Sequence, residues 1–271
     1  MTVFYAIPSW LLLTLAVLVF AALACAGLIV QRRALPKVDF HAHNDVAGLF
    51  IGVVAGLFTV TVAFIVAIVW QQFDGTTQRI SAEVASAKDL WHVSAGLPAP
   101  LRAELRGMLA EYAGVMVTEE WPAMHRGGSS RRAEAIVSQA FEDTARFRPA
   151  DAGSSTAQSS ALRYLSEIHD ARHHRLDDNS NGLAPFEWAS LLLGAVMVIV
   201  LCYMVGLPNI RAHAFMTAVV AAAIASMFVL IFELDYPFRG DVAVPPDLWR
   251  GFVRDHPVPH VTTEVDVPRR A

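Results

Sequence analysis

Three stretches of this chain carry side chains whose types and spacing could do chemistry. In VDFHAHND, residues 38–45, His41 and His43 stand two apart. A strand that ends in His-x-His can present both imidazoles to a metal, as in metallohydrolases. Here the run is a short loop leading into an apolar stretch, and no strand–helix repeat follows to supply further ligands. The milder reading is a polar, pH-responsive mouth made by His41, His43 and Asp45. In IHDARHHRLDD, residues 168–178, His169 and His173 stand one helical turn apart, a spacing that can hold a metal. Arg172 and Arg175 beside them disfavour a cation, and the expectation is a solvated helix end. Glu119 and Glu120 are adjacent, so their carboxylates leave a helix on different faces. Cys25 and Cys202 both lie in apolar windows and read as small buried side chains, with no disulfide framework or metal pattern. No glycine-rich phosphate loop, nucleophile elbow or paired-carboxylate site appears. The chain is expected to be no enzyme and to hold no cofactor and no metal.

The elements that carry these residues are set by hydropathy. The sequence is 55% hydrophobic and only 17% charged, with a mean hydropathy of +0.43; soluble domains carry about 25% charged residues. The charge deficit is concentrated in four windows, about 7–30, 46–70, 188–207 and 212–232, each long enough to cross a hydrocarbon core of about 30 Å. The first window lacks a basic start and is too long for a secretory signal, so it reads as a retained span. Trp10, Trp70 and Trp188 sit near window ends, where interfacial aromatics belong. Pro208 and Asn209 turn the chain between the third and fourth windows, and His213 stands near the start of the fourth. The net charge of -4 and the lack of a basic stripe with interleaved aromatics give no argument for nucleic acid, and no nucleic-acid partner is expected. The fold class that follows is all-α: a polytopic membrane protein with residues 1–72 holding two spans, 73–186 a helical soluble insert, 187–234 two further spans, and 235–271 a proline-rich tail.

Within the insert the second span is expected to run on through Ile80, Val84, Ala87 and Trp91 until Leu97–Pro100 breaks it. A helix then begins near Pro100 and carries Leu105, Met108, Leu109, Tyr112 and Met116 at three- and four-residue spacing. Pro122 is expected to stop it. A turn at 127–130, a shorter helix through Ile136, Val137, Ala140, Phe141 and Phe147, a Gly/Ser stretch at 153–160, and a last helix bearing Leu162, Leu165, Ile168 and Leu176 complete it. The tail after Asp235 holds six prolines. It reads as extended and irregular, and as disordered beyond Pro257.

The second span is the most patterned segment. At about 100° per residue, Asp45, Gly48, Gly52, Ala55, Gly56, Thr59 and Ala63 share an arc of about 120°, and Phe50, Leu57 and Phe64 form a ridge opposite. Small residues four apart allow membrane helices to approach closely, and Ala214, Ala218, Ala221 and Ala225 make a second such face in the fourth span. The two faces could simply pack together. Alternatively the second span lines a pore, with either the small arc or the phenylalanine ridge toward the ions, the ridge then acting as a gate that dewets. No ionisable residue lies deep in any span, which argues against a proton relay or an ion-coupled transporter and suits a passive pore.

The chain resembles the bestrophin-like family of prokaryotic and plant membrane proteins of unknown function. The matching pieces are VWQQFD at 69–74, EYAGVMVTEEWPAM at 111–124, and LDYPFRGDVAV at 234–244, together spanning about residues 45–245. The family-motif positions are Glu120, Trp121 and Pro122, and Pro237, Phe238, Arg239 and Gly240. Bestrophins proper are pentameric chloride channels whose second helix lines the pore and whose insert lies in the cytosol. The resemblance therefore implies a homo-oligomeric anion pore lined by the second span, self-association in a lipid bilayer, and small inorganic ions as partners. The acidic cluster that forms a calcium clasp in bestrophins is reduced here to Glu233, Asp235 and Asp241.

Four spans put both termini and the insert on one side and residues 31–45 and 208–211 on the other. Arg32, Arg33 and Lys37 pull the short loop toward the cytoplasm, whereas the basic residues flanking the spans on the insert side, Arg79 and Arg239 among them, pull the other way. The expectation adopted is a multi-pass plasma (inner) membrane protein with a cytoplasmic insert. The competing class is a membrane-anchored interaction or sensor protein whose insert binds a partner without conduction.

Overall fold

A computed structural model describes Tyr5, residues 7–36 and residues 44–257. His41, His43 and Lys37 of the short loop, and the tail beyond Pro257, lie outside the described residues. Every regular element among the described residues is helical: α1 (Ser9–Ala34), α2 (Asn44–Val93), α3 (Ala99–Val115), α4 (Trp121–His125), α5 (Arg131–Arg146), α6 (Ala152–Ser180), α7 (Pro185–Tyr203), α8 (Ile210–Asp235) and α9 (Asp247–Asp255). Helices α1, α2, α7 and α8 are long and apolar enough to cross a membrane. The chain divides into two compact units, one of residues 1–77 and 177–244, the other of 78–176 and 245–271. The fold is therefore the all-α, four-span architecture expected.

In the first unit the core is one-sided and aliphatic. Val62, Ile65 and Val69 of α2 pack with Leu191 and Val198 of α7 and with Ile224 of α8. Helix α1 lies along α8, where Phe20 meets Phe228 edge-on at 5.9 Å and the Cys25 thiol donates to the Ala214 carbonyl at 3.5 Å. At the short-loop end, polar groups close what the apolar helices cannot. Arg32 donates to the Leu207 carbonyl at 3.0 Å and sits 3.1 Å from His213 Nδ1. Asn44 exchanges two hydrogen bonds with the Gly206 backbone, at 3.0 and 2.8 Å. At the other end Ser9 N–H donates to Asp241 and Leu183 N–H to Asp235. The third span is shorter than its hydropathy window: α7 ends at Tyr203, and Met204–Leu207 form the loop whose carbonyls Arg32 and Asn44 bind. Asn209 then caps α8, accepting from the N–H groups of Arg211 and Ala212.

The second unit is a helical bundle. Leu90, Leu105, Leu109, Tyr112, Leu165 and Ile168 are all buried in it. Three expectations are corrected there. Pro122 does not stop the helix. Residues Met116–Glu120 form one π-helical turn, the Trp121 N–H bonds back to the Met116 carbonyl, and the chain re-enters α4 with Pro122 in its first turn, where no amide hydrogen is needed. The Gly/Ser stretch is not a linker but the beginning of α6. The Asp151 carboxylate accepts from the Ser154 N–H at 2.8 Å and caps it, and the small side chains let the helix lie close: a Cβ placed on Gly96 would stand 2.8 Å from that of Ala157. The tail is not irregular throughout. It forms α9, whose Trp249 and Phe252 are fully buried, with Trp249 edge-on to Tyr112 at 5.3 Å. Six prolines punctuate it, yet two aromatics three apart suffice to bury one face of a short helix.

Candidate functional site

Helix α2 is a single helix of 50 residues, about 75 Å long and so more than twice the thickness of a hydrocarbon core. As expected from its sequence it continues into the second unit, where Ile80, Val84, Ala87 and Leu90 are buried. In the spanning part its side chains sort into three faces. Val62, Ile65 and Val69 are buried and Phe58 partly so; this face holds the core. A Cβ on Gly194 of α7 would meet the Phe58 ring at 2.5 Å, so glycine is what lets α7 approach.

The other two faces are uncovered by the chain itself. On the small arc Asp45, Gly48, Gly52, Gly56, Thr59 and Ala63 are exposed and Ala55 is half-buried. A Cβ on Gly48, Gly52 or Gly56 would touch nothing within 4 Å. The Thr59 hydroxyl donates to the Ala55 carbonyl at 2.8 Å, so the one hydroxyl on that arc is satisfied within its own helix. The ridge is equally open, with Phe50, Leu57 and Phe64 exposed at 57%, 67% and 68%. A groove of about 510 Å³ runs beside the small arc, with Thr59 and Ala63 on one wall and Val219, Val220 and Ala223 of α8 on the other. The small faces of α2 and α8 therefore do not close on each other within one chain. Ala221 and Ala225 are buried instead, in walls they share with Phe20 of α1.

The family-motif positions fall in two places, neither on the spanning part of α2. Glu120 is fully buried. It accepts from the Ser130 N–H at 2.5 Å and from Arg172 Nε at 3.0 Å. Arg175, also fully buried, makes a two-pronged pair with Glu83 at 3.0 and 3.1 Å and lies 5.1 Å over the Trp121 ring. The Tyr112 hydroxyl donates to Glu83 at 2.8 Å. Burial, and then the Glu83 carboxylate beside it, hold the Tyr112 phenol well above its usual range, so it remains a donor. Burial alone would lower Arg175, but the Glu83 carboxylate beside it, with Glu120, more than offsets this and keeps the guanidinium charged.

The second motif is a turn after α8. Pro237 accepts from the Val244 N–H at 2.8 Å, Phe238 is fully buried, and Arg239 donates to the Asn179 carbonyl at 3.1 Å. Gly240 has φ +78°, and a Cβ there would stand 2.9 Å from Glu233 Oε2, so both conformation and space require glycine. Both motifs are thus architectural. Asp235 and Asp241 accept from the backbone N–H groups of Leu183 and Ser9.

Sequence reasoning missed the role of Glu83, Arg172 and Arg175 and placed the arginines at a solvated helix end. Helix α6 runs on to Ser180, and Arg172 and Arg175 are 3% and 0% exposed. A trace was present: Ala161, Leu165, Ile168, Arg172 and Arg175 continue one three- and four-residue stripe, so the arginines occupy buried register positions.

Residues 18–248 match the family model of the bestrophin-like domain. Crystal structures of two point variants of a bacterial bestrophin homologue from Klebsiella pneumoniae share the fold. One has a TM-score of 0.65 at 13% identity and covers 92% of this chain and 98% of its own. The other has a TM-score of 0.67 at 13% identity, over 90% and 97%. No curated protein matches the chain. With the four spans and the long α2 in place, the family model fixes the assignment: the chain belongs to the bestrophin-like family.

Proposed function

We propose that the protein is a homo-oligomeric ion channel, selective for anions, in which α2 lines the pathway. The observation that carries this reading is that α2 leaves two opposed faces uncovered in a single chain. A ridge of phenylalanine and leucine could face lipid at no cost, but a glycine arc gains little from lipid. Its use is close approach of another helix. In the assembly the small arc from Gly48 to Ala63 packs against a neighbouring subunit. That turns Phe50, Leu57 and Phe64 toward the axis, where a ring of bulky apolar side chains gates by dewetting. A passive pathway of this kind needs no ionisable group at mid-membrane, and α2 has none between Asp45 and Asp74. The insert and both termini lie in the cytoplasm, and the membrane is the plasma (inner) membrane.

The test is reconstitution of the purified protein in liposomes with halide and cation flux measured separately. Halide flux above empty vesicles, raised several-fold by Leu57→Ala or Phe64→Ala, is expected. No flux for any ion, or a monomeric particle mass, sinks the channel and favours a membrane-anchored interaction protein. A cysteine introduced at Ser129 is expected to resist labelling from outside intact cells; labelling would reverse the orientation.

A further inference from the structure

The histidine pair set aside on sequence grounds has a third partner. Glu134 on α5 and His169 and His173 on α6 bring one donor atom each to within 4.8 Å of one another. The two imidazoles stand edge to face with centroids 4.3 Å apart, the register that His-x3-His gives on one helix face. Neither ring has a hydrogen bond to another described residue. In the sequence, Arg172 and Arg175 stand beside the pair and would repel a cation. The structure removes that repulsion, because both guanidiniums are already committed: Arg175 to Glu83 and Glu120, Arg172 to Glu120 and Glu134. In that network three carboxylates face two guanidiniums, so it carries one uncompensated negative charge. The partly exposed member is Glu134, whose side chain is 41% accessible. Arg172 acts on it as an outer partner of the kind that orients a metal-ligating carboxylate, since a monodentate ligand uses one oxygen and leaves the other for a hydrogen bond.

We infer that Glu134, His169 and His173 form a binding site for a divalent transition-metal ion, a two-imidazole, one-carboxylate set that staples α5 to α6. Imidazole nitrogen with one carboxylate suits zinc, nickel or copper rather than magnesium or calcium, which take oxygen ligands. Three protein donors leave a coordination position for water. His173 is exposed, so the site loads from solvent without unfolding the insert.

The full chain in detergent, stripped with a chelator, is titrated with zinc chloride and in parallel with magnesium and calcium chloride. One zinc per chain is expected, no measurable magnesium or calcium, and a rise in unfolding temperature on loading, because a ligand that binds only the folded state stabilises it. His173→Ala and His169→Gln should each weaken zinc at least tenfold, while His174→Ala, one residue along, leaves it unchanged. Circular dichroism of the stripped variants shows that they fold. X-ray absorption of the loaded protein should give two nitrogen neighbours at about 2.0–2.1 Å. No zinc uptake by the wild type, or uptake that both histidine variants retain, overturns the site. This test reads metal content and leaves conduction aside, so its failure is separable from failure of the channel.

Discussion

The two units of this chain solve opposite problems. The insert buries charge and satisfies it internally: Glu83, Glu120, Arg172 and Arg175 are almost wholly removed from solvent, and each meets its counter-charge within the same unit. The spanning unit keeps its buried carboxylates, Glu233 and Asp235, at the very end of α8, and it satisfies its apolar core on only one side of α2, leaving glycines and phenylalanines uncovered. The insert closes on its own charges; on the proposed reading, the spanning unit closes only against further copies of the chain. Substitutions in the insert should therefore damage the fold, and substitutions on the open faces of α2 should damage assembly and transport while sparing it.

The largest effect should come from the insert. Arg175→Met leaves Glu83 without its two-pronged partner in a buried site, and breaking one side of such a pair costs about 3–5 kcal/mol. For a chain of this size that lowers Tm by on the order of 10 °C. The double variant Glu83→Leu/Arg175→Met should recover most of the loss, since an apolar replacement of a buried pair is often neutral. Thermal unfolding of the detergent-solubilised protein measures both. Equal loss in the single and double variants would mean that the pair is not what the bundle closes on.

The next comparison sits within the membrane. Gly194→Leu and Gly52→Leu add the same side chain to a spanning glycine. At Gly194 the first added carbon already meets the Phe58 ring at 2.5 Å, so overpacking should cost roughly 1–3 kcal/mol in a single chain. At Gly52 nothing stands within 4 Å, so the subunit should fold normally. If the small arc is a subunit contact, Gly52→Leu should instead shift the particle mass toward the monomer. A Gly52→Leu protein that keeps its mass and its flux would turn the small arc toward lipid.

What could be read from the sequence follows the same division. The spans, the passage of α2 into the insert and the hairpin at Pro208 and Asn209 were legible, because a bilayer imposes a long, uncharged window that few other structures need. The insert was legible only where its stripes were apolar. Arg172 and Arg175 occupy buried register positions, but charge there is ordinarily solvent-facing, and the compensating Glu83 lies 92 residues from Arg175. The π-turn at Met116–Glu120 was hidden for a related reason, since it is set by what Glu120 and Trp121 bury rather than by local propensity. What covers the open faces of α2 was not legible at all, because nothing within the chain packs on Gly48, Gly52 or Gly56.

The smallest effect probes how the insert begins α6. Asp151 accepts from the Ser154 backbone N–H and from its hydroxyl, and these bonds, the backbone one first, hold its carboxyl below the usual range. A carboxyl whose folded pKa is depressed stabilises the fold above its unfolded value, about 3.9, and loses that contribution as pH falls through the folded value. Asp151→Ala should therefore lower Tm slightly at pH 7, and the gap from wild type should close as pH is brought below about 4. Asp151→Asn keeps the acceptor and loses the charge, so it should fall between the two at pH 7 and show no such closing. A gap that stays constant across this range would mean that the Gly/Ser stretch is held helical by its packing on Gly96 rather than by its cap.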